Sequence, residues 1–136
     1  MSPPFLDTNV LLYATLQPDP RSEAARSLLA GRGTISVQVL NEFANVAARR
    51  LRRPWPEIDR ALRSIRTLCA PPLPLTVATH QAGIAIATRT GYRLYDALIV
   101  AAALEARCNI LFSEDLHDGH VIEGRLTIRN PFVISE

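Results

Sequence analysis

Short apolar runs alternate along this chain with stretches of helical periodicity, the pattern of a parallel sheet wrapped by helices. Residues 4–6 read as a first strand leading into a short helix. Residues 19–29 read as a second helix, with Asp19 as its N-cap, Pro20 at its first position and Gly31-Arg32-Gly33 as its stop. A second short strand is expected over 34–36. From 37 to 52, Val39, Leu40, Phe43, Val46, Ala47 and Leu51 recur at helical spacing. Pro54-Trp55-Pro56 should break that helix, and 57–68 forms the next, with Ile58, Leu62, Ile65 and Leu68 on one face. Residues 73–75, bracketed by prolines, read as a third strand. Helices over 77–90 and 94–107 are separated by Gly91; 109–112 is a fourth strand and 126–128 an edge strand. No repeat or low-complexity tract interrupts this order, so residues 1–136 are expected to form one domain.

Acids interrupt the apolar pattern at four places. Asp7 stands between Phe5-Leu6 and Val10-Leu11-Leu12-Tyr13 in PPFLDTNVLLYA. Asp115 lies just past the fourth strand in NILFSED. Glu42 borders the apolar face of its helix in VQVLNEFANVA, and Asp96 is the only charge before Glu105 in YDALIVAAALEA. Ligands of open parallel sheets bind beyond the carboxyl ends of the strands, where Asp7 and Asp115 fall. Each acid alone has a structural reading: Asp7 and Asp96 suit helix N-termini, and Glu42 and Asp115 suit solvated edges. Converging, they would repel. Two carboxylates about 4 Å apart cost on the order of 4 kcal/mol at an effective dielectric near 20, so a cluster needs protons or a cation. Oxygen ligands favour Mg²⁺ or Mn²⁺, which keep several waters and touch one or two carboxylates directly. Such an ion lowers the pKa of a bound water and clamps a phosphoryl oxygen.

Composition narrows the field. At 136 residues, 48% hydrophobic and 21% charged, the chain is long and apolar enough for a real core. Its longest apolar run, 97–104, is too short to span a membrane, and its first residues lack a basic-then-apolar leader. Cys69 and Cys108 stand apart without CxxC spacing and read as reduced core thiols of a cytoplasmic protein. The formal charge of +2 says little about partners, but all 15 basic residues are Arg. The absence of Lys excludes P-loop nucleotidases. It also counts against receiver and haloacid-dehalogenase folds, which pair strand-end aspartates with a lysine.

The segments FLDTNVLLYA, NEF, YDALIVAAA and LFSEDLHDG resemble the four acidic motifs of the PIN-domain ribonucleases, in the right order and spacing. The match is nearest to the VapC-like toxins of bacterial toxin–antitoxin pairs. GRLTIRNPF resembles that family's closing strand, so the likeness runs from residue 5 to about 132. It implies a three-layer α/β/α fold with a central parallel sheet of four to five short strands. It also implies that Asp7, Glu42, Asp96 and Asp115 are the catalytic quartet. Asp7, Asp96 and Asp115 would hold Mg²⁺ or Mn²⁺, directly or through waters, with Glu42 positioning a water or the metal. Thr8, Asn9 and Ser113 match the polar residues placed beside that quartet. The activity implied is endoribonuclease cleavage by a metal-activated water attacking in line, leaving 5′-phosphate and 3′-hydroxyl ends. A cognate antitoxin and a homodimer are the implied protein partners. Two other readings stay open: a PIN-like nuclease for RNA processing or structured DNA, and a non-catalytic RNA- or protein-binding module. Retention of all four acids weighs against the last.

Other features are secondary. Arg49, Arg50, Arg52 and Arg53 in RRLRR are either an RNA-phosphate patch or a solvated helix end that suits the dipole. Arg89 and Arg93, flanking the Asp96 helix, form a second basic set. Tyr13 and Tyr95 have rings able to stack on bases, yet both read as core. His117 and His120 in HDGH have no third His or Cys nearby, His80 being distant. They read as a solvated loop around a Gly119 turn, not as a zinc site. Glu114 and Asp118 read as loop acids.

Overall fold

The computed structural model describes residues 3–132. In chain order its elements are β1 (Phe5–Leu6), α1 (Thr8–Thr15), α2 (Ser22–Ala30), α3 (Val37–Arg49), α4 (Trp55–Leu68), α5 (Val77–Thr90), α6 (Leu94–Glu105), β2 (Ile110–Phe112), β3 (Val121–Ile122) and β4 (Leu126–Arg129). The sheet order is β1-β2-β4-β3, parallel except for β3, which pairs antiparallel with β4. The α/β class and the mostly parallel sheet agree with the expectation.

The strands expected over 34–36 and 73–75 shrink to isolated parallel bridges, Phe5 with Thr34 and Ser36 with Leu73. The physical reasons are local. Pro71, Pro72 and Pro74 have no N–H for a ladder, and Ser36 turns its hydroxyl to the Val39 N–H to cap α3. β3 was not foreseen. Its turn closes by the Arg125 N–H donating to the Ile122 carbonyl at 3.0 Å, with positive φ at Glu123 (51°) and Gly124 (68°). A Glu-Gly pair is a weaker hairpin signal than Asn-Gly or Asp-Gly.

Helix ends also shift. α3 stops at Arg49 and α6 at Glu105, each short of expectation. α4 starts earlier, at Trp55, and absorbs Pro56 in its first turn, where a missing N–H costs nothing. α2 starts at Ser22, so Asp19 is not its cap. The Asp19 carboxylate instead accepts from the Arg21 N–H at 2.9 Å and from Arg21 Nε at 2.7 Å, contacts that hold its pKa down to about 2. After α2 the left-handed position belongs to Arg32 (φ 56°). Gly33 is needed for space, since a Cβ there would lie 2.7 Å from Leu6 Cδ1.

Phe5, Leu6, Leu111, Leu126 and Ile128 of the strands are fully buried, against Val10, Leu11 and Leu12 of α1 and Val39 and Phe43 of α3. Burying side chains of this size contributes about 1.5–3 kcal/mol each. α6 is buried from 97 to 104, which explains why it is apolar all round after Asp96. Cys69 and Cys108 are free, buried thiols. No helix of the described residues is long and apolar enough to cross a membrane.

Candidate active site

Strand register builds the centre of the site. Leu6 pairs with Phe112, so the next residues, Asp7 and Ser113, emerge side by side at the carboxyl edge of the sheet. Asp7 caps α1, its Oδ1 accepting the Thr8 N–H at 2.6 Å. Its Oδ2 accepts the Ser113 hydroxyl at 2.6 Å, and the Ser113 oxygen in turn accepts the Leu116 N–H at 3.3 Å. In the loop beyond β2, exposed Asp115 accepts from Asn9 Nδ2 at 2.8 Å. Asp96 lies in the first turn of α6, and Glu42 lies on α3, which packs against α6.

Electrostatics joins these acids into one cluster. Burial pushes the Asp7 pKa up to about 6; the Ser113 and Thr8 hydrogen bonds oppose the rise, while Asp96 and Asp115 add to it. Burial lifts Glu42 to about 7, helped by Asp7, Asp96 and Asp115 and offset by the Gln38 side chain. Asp96 is raised by burial and then by Asp115, against the pull of Arg93. Two polar atoms here, Glu42 Oε2 and Thr8 Oγ1, are buried with no hydrogen-bond partner. An orphaned buried acceptor costs about 1–3 kcal/mol, a debt that a cation or a proton would relieve. Among the described residues, no three His, Cys, Asp or Glu side chains are close enough to enclose a metal ion by themselves.

A supporting network escaped sequence reasoning. Glu114, read as a loop acid, accepts the Tyr13 hydroxyl at 2.7 Å and ion-pairs with Arg21. The Arg21 guanidinium also holds Asp19 and lies 4.3 Å above the Tyr13 ring. These contacts tie the loop bearing Ser113 and Asp115 to α1 and to the start of α2. Nothing local announces them, because Glu114 lies 101 residues from Tyr13 and 93 from Arg21. Asp118 accepts the Asn130 N–H at 2.8 Å.

Tyr13 is buried, as expected, but Tyr95 is not a core residue. It is 61% exposed and lines a groove of about 460 Å³ with Gln38, Asn41, Glu42, Asn45 and Val46. His120 is anchored, with Nδ1 2.5 Å from the Tyr92 hydroxyl and its ring edge-on to His117. Among the basic residues, Arg49, Arg50 and Arg52 are exposed at the end of α3. Arg53 turns inward, donating to Glu57 and to the Leu16 carbonyl, each at 2.7 Å. Arg89 pairs with Glu123 at 3.2 Å, and Arg93 adjoins Asp96.

A mostly parallel sheet with acids at the ends of β1 and β2, and more acids on the flanking helices, defines a PIN domain. The PIN-domain family model matches residues 5–117, and the chain belongs to that family. Among solved structures it is similar to the VapC20 toxin of Mycobacterium tuberculosis, described as cleaving the sarcin–ricin loop. That likeness has a TM-score of 0.64 and 20% identity, over 82% of this chain and 90% of that one. At this identity the likeness is one of fold. No curated protein matches the sequence.

Proposed function

We propose that this protein is a divalent-metal-dependent endoribonuclease, the toxin of a toxin–antitoxin pair. The observation that carries the reading is the acid cluster itself. Asp7 and Glu42 are pushed to about 6 and 7 by burial and by their neighbours, and Glu42 Oε2 has no partner. Such a constellation gains by meeting a cation. Asp7, Asp96 and Asp115 would hold Mg²⁺ or Mn²⁺, directly or through waters, with Glu42 reaching it through water. When bound, the ion lowers the pKa of a water and offsets charge on the phosphoryl group.

The chain's own residues supply orientation. The Thr8 N–H and the Ser113 hydroxyl take one oxygen of Asp7 each, which locks its carboxylate plane; Asn9 does the same for Asp115. Such outer partners set how acids present their lone pairs. Glu42, at the groove's edge, positions the attacking water, which displaces the 3′-oxygen in line and leaves a 5′-phosphate. Arg49, Arg50, Arg52 and Arg93 contact RNA phosphates, whereas Arg53 and Arg89 serve the ion pairs described above. The toxin role brings a cognate antitoxin, a homodimer and a cytoplasmic setting, with residues 1–136 acting as one domain. The fold shared with VapC20 supports the toxin role.

The direct test is cleavage of single-stranded or loop RNA by the purified protein. Cutting should require Mg²⁺ or Mn²⁺, stop in EDTA, resume when metal is restored, and leave 5′-phosphate ends. Cleavage that persists in chelator contradicts the proposed chemistry.

A further inference from the structure

Helix α3 carries two exposed carboxamides, Asn41 and Asn45, for which the metal chemistry has no use, whereas Gln38 beside them is buried and hydrogen-bonds Glu42. Gln38, Asn41 and Asn45 share a side of the helix with Glu42, at the three- and four-residue spacings that stack side chains on one face. Tyr95, one residue before Asp96 on α6, lines the same groove. Glu42 also lines the groove between them. Its lining has three carboxamides, a phenol and a valine, and no cation. Tyr95 leaves an aromatic ring 61% exposed there, while Phe43 on the other side of α3 is fully buried.

We propose that this groove receives one unpaired nucleobase of the RNA, belonging to a nucleotide beside the scissile phosphate. Tyr95 stacks on the base, and the carboxamides of Asn41 and Asn45 pair with its edge. The lining argues for a base over other ligands. A phosphate would meet no cation and would face Glu42. An apolar ligand would bury carboxamides without partners, a costly exchange. A base offers a flat π-face and a planar edge of mixed donors and acceptors. A carboxamide supplies both hydrogen-bonding roles at once, and aromatic stacking is the usual support for single-stranded RNA. A base held here places its own backbone against Glu42, so the groove sets which nucleotide is presented to the acids. A paired base has no free edge to offer, so the substrate is a single strand or a loop.

The inference takes its substrate class from the ribonuclease reading, but its test does not need cleavage. Affinity for a short single-stranded RNA of mixed sequence, and for its series of single abasic substitutions, is measured by anisotropy in EDTA. For the wild type, one abasic position should weaken binding roughly tenfold, the size of one base–aromatic stack. Tyr95→Ala should lose the same roughly tenfold and become indifferent to that abasic position, while Tyr95→Phe keeps both properties. Tyr95 is exposed, so melting temperatures should match across these variants. The proposal is overturned if Tyr95→Ala binds like the wild type with the same abasic profile, if no abasic position matters, or if no RNA binds. Failure to cleave in Mg²⁺ with an intact Tyr95-dependent profile instead removes the ribonuclease reading and leaves the base site standing.

Discussion

Asp7 is held by two hydrogen bonds and yet its charge is unwelcome. One oxygen caps α1 and the other takes the Ser113 hydroxyl, but burial beside Asp96 and Asp115 lifts its pKa from 3.8 to about 6. The folded state therefore binds this proton more tightly than the unfolded chain. Stability is greatest below pH 4 for this group and falls as pH rises through about 6, by up to about 3 kcal/mol. Glu42, lifted to about 7, extends the fall in the same direction. Asp19, held near 2 by Arg21, acts with the opposite sign, but only between about pH 2 and 4. Metal-free protein should therefore melt at a higher temperature at pH 5 than at pH 8, and Asp7→Asn should flatten that slope. A melting temperature that climbs from pH 5 to pH 8 contradicts this account of Asp7.

At the scale of elements, α3 does the most. Val39, Phe43 and Ala47 face the core, and another side runs from buried Gln38 through half-buried Glu42 to exposed Asn45 and Arg49, in steps of four, three and four residues. Arg49 thus continues the line of the groove toward the helix end. If it and Arg50 meet phosphates, the double variant Arg49→Gln with Arg50→Gln should bind RNA more weakly. Its slope of log affinity against log salt should also shrink by about 0.7 per lost contact. An unchanged slope makes them a solvated helix end. α3 to α6 were legible in the sequence to within a few residues, because apolar period, prolines and caps are local signals. The segments at 34–36 and 73–75 were less so, since strand pairing is decided by partners far along the chain. Asp19 misled because Arg21, two residues on, competes for its carboxylate. Asp7 and Asp96 stood out because a charge inside an apolar run breaks a local pattern, whereas Glu42 and Asp115, which alone suit solvated edges, were marked by their placement beside the other two and by the family resemblance. The Arg21–Glu114–Tyr13 contacts and the exposure of Tyr95 exist only once distant elements pack, and no local pattern reports them.

For the whole molecule, the site is a product of topology. The parallel pairing of β1 with β2 brings residue 7 beside residue 113, and the packing of α3 on α6 adds Glu42 and Asp96. The cluster is thus absent from the unfolded chain, and any cation that binds it stabilises the fold by mass action. Replacing Asp7 separates the roles of cap and ligand, because Asn caps a helix about as well as Asp but carries no charge. The decisive measurement is Asp7→Asn on two readouts together: thermal melting with and without Mg²⁺, and RNA cleavage at matched Mg²⁺. Asp59→Asn, an exposed partner of Arg63 on α4, serves as the control and should keep both wild-type behaviours. Metal-free Asp7→Asn should be at least as stable as the wild type at pH 8, yet lose nearly all cleavage and most of the Mg²⁺-induced rise in melting temperature. If Asp7→Asn instead cleaves RNA like the wild type and gains the same stability from Mg²⁺, Asp7 is a helix cap and the metal-centred account is wrong.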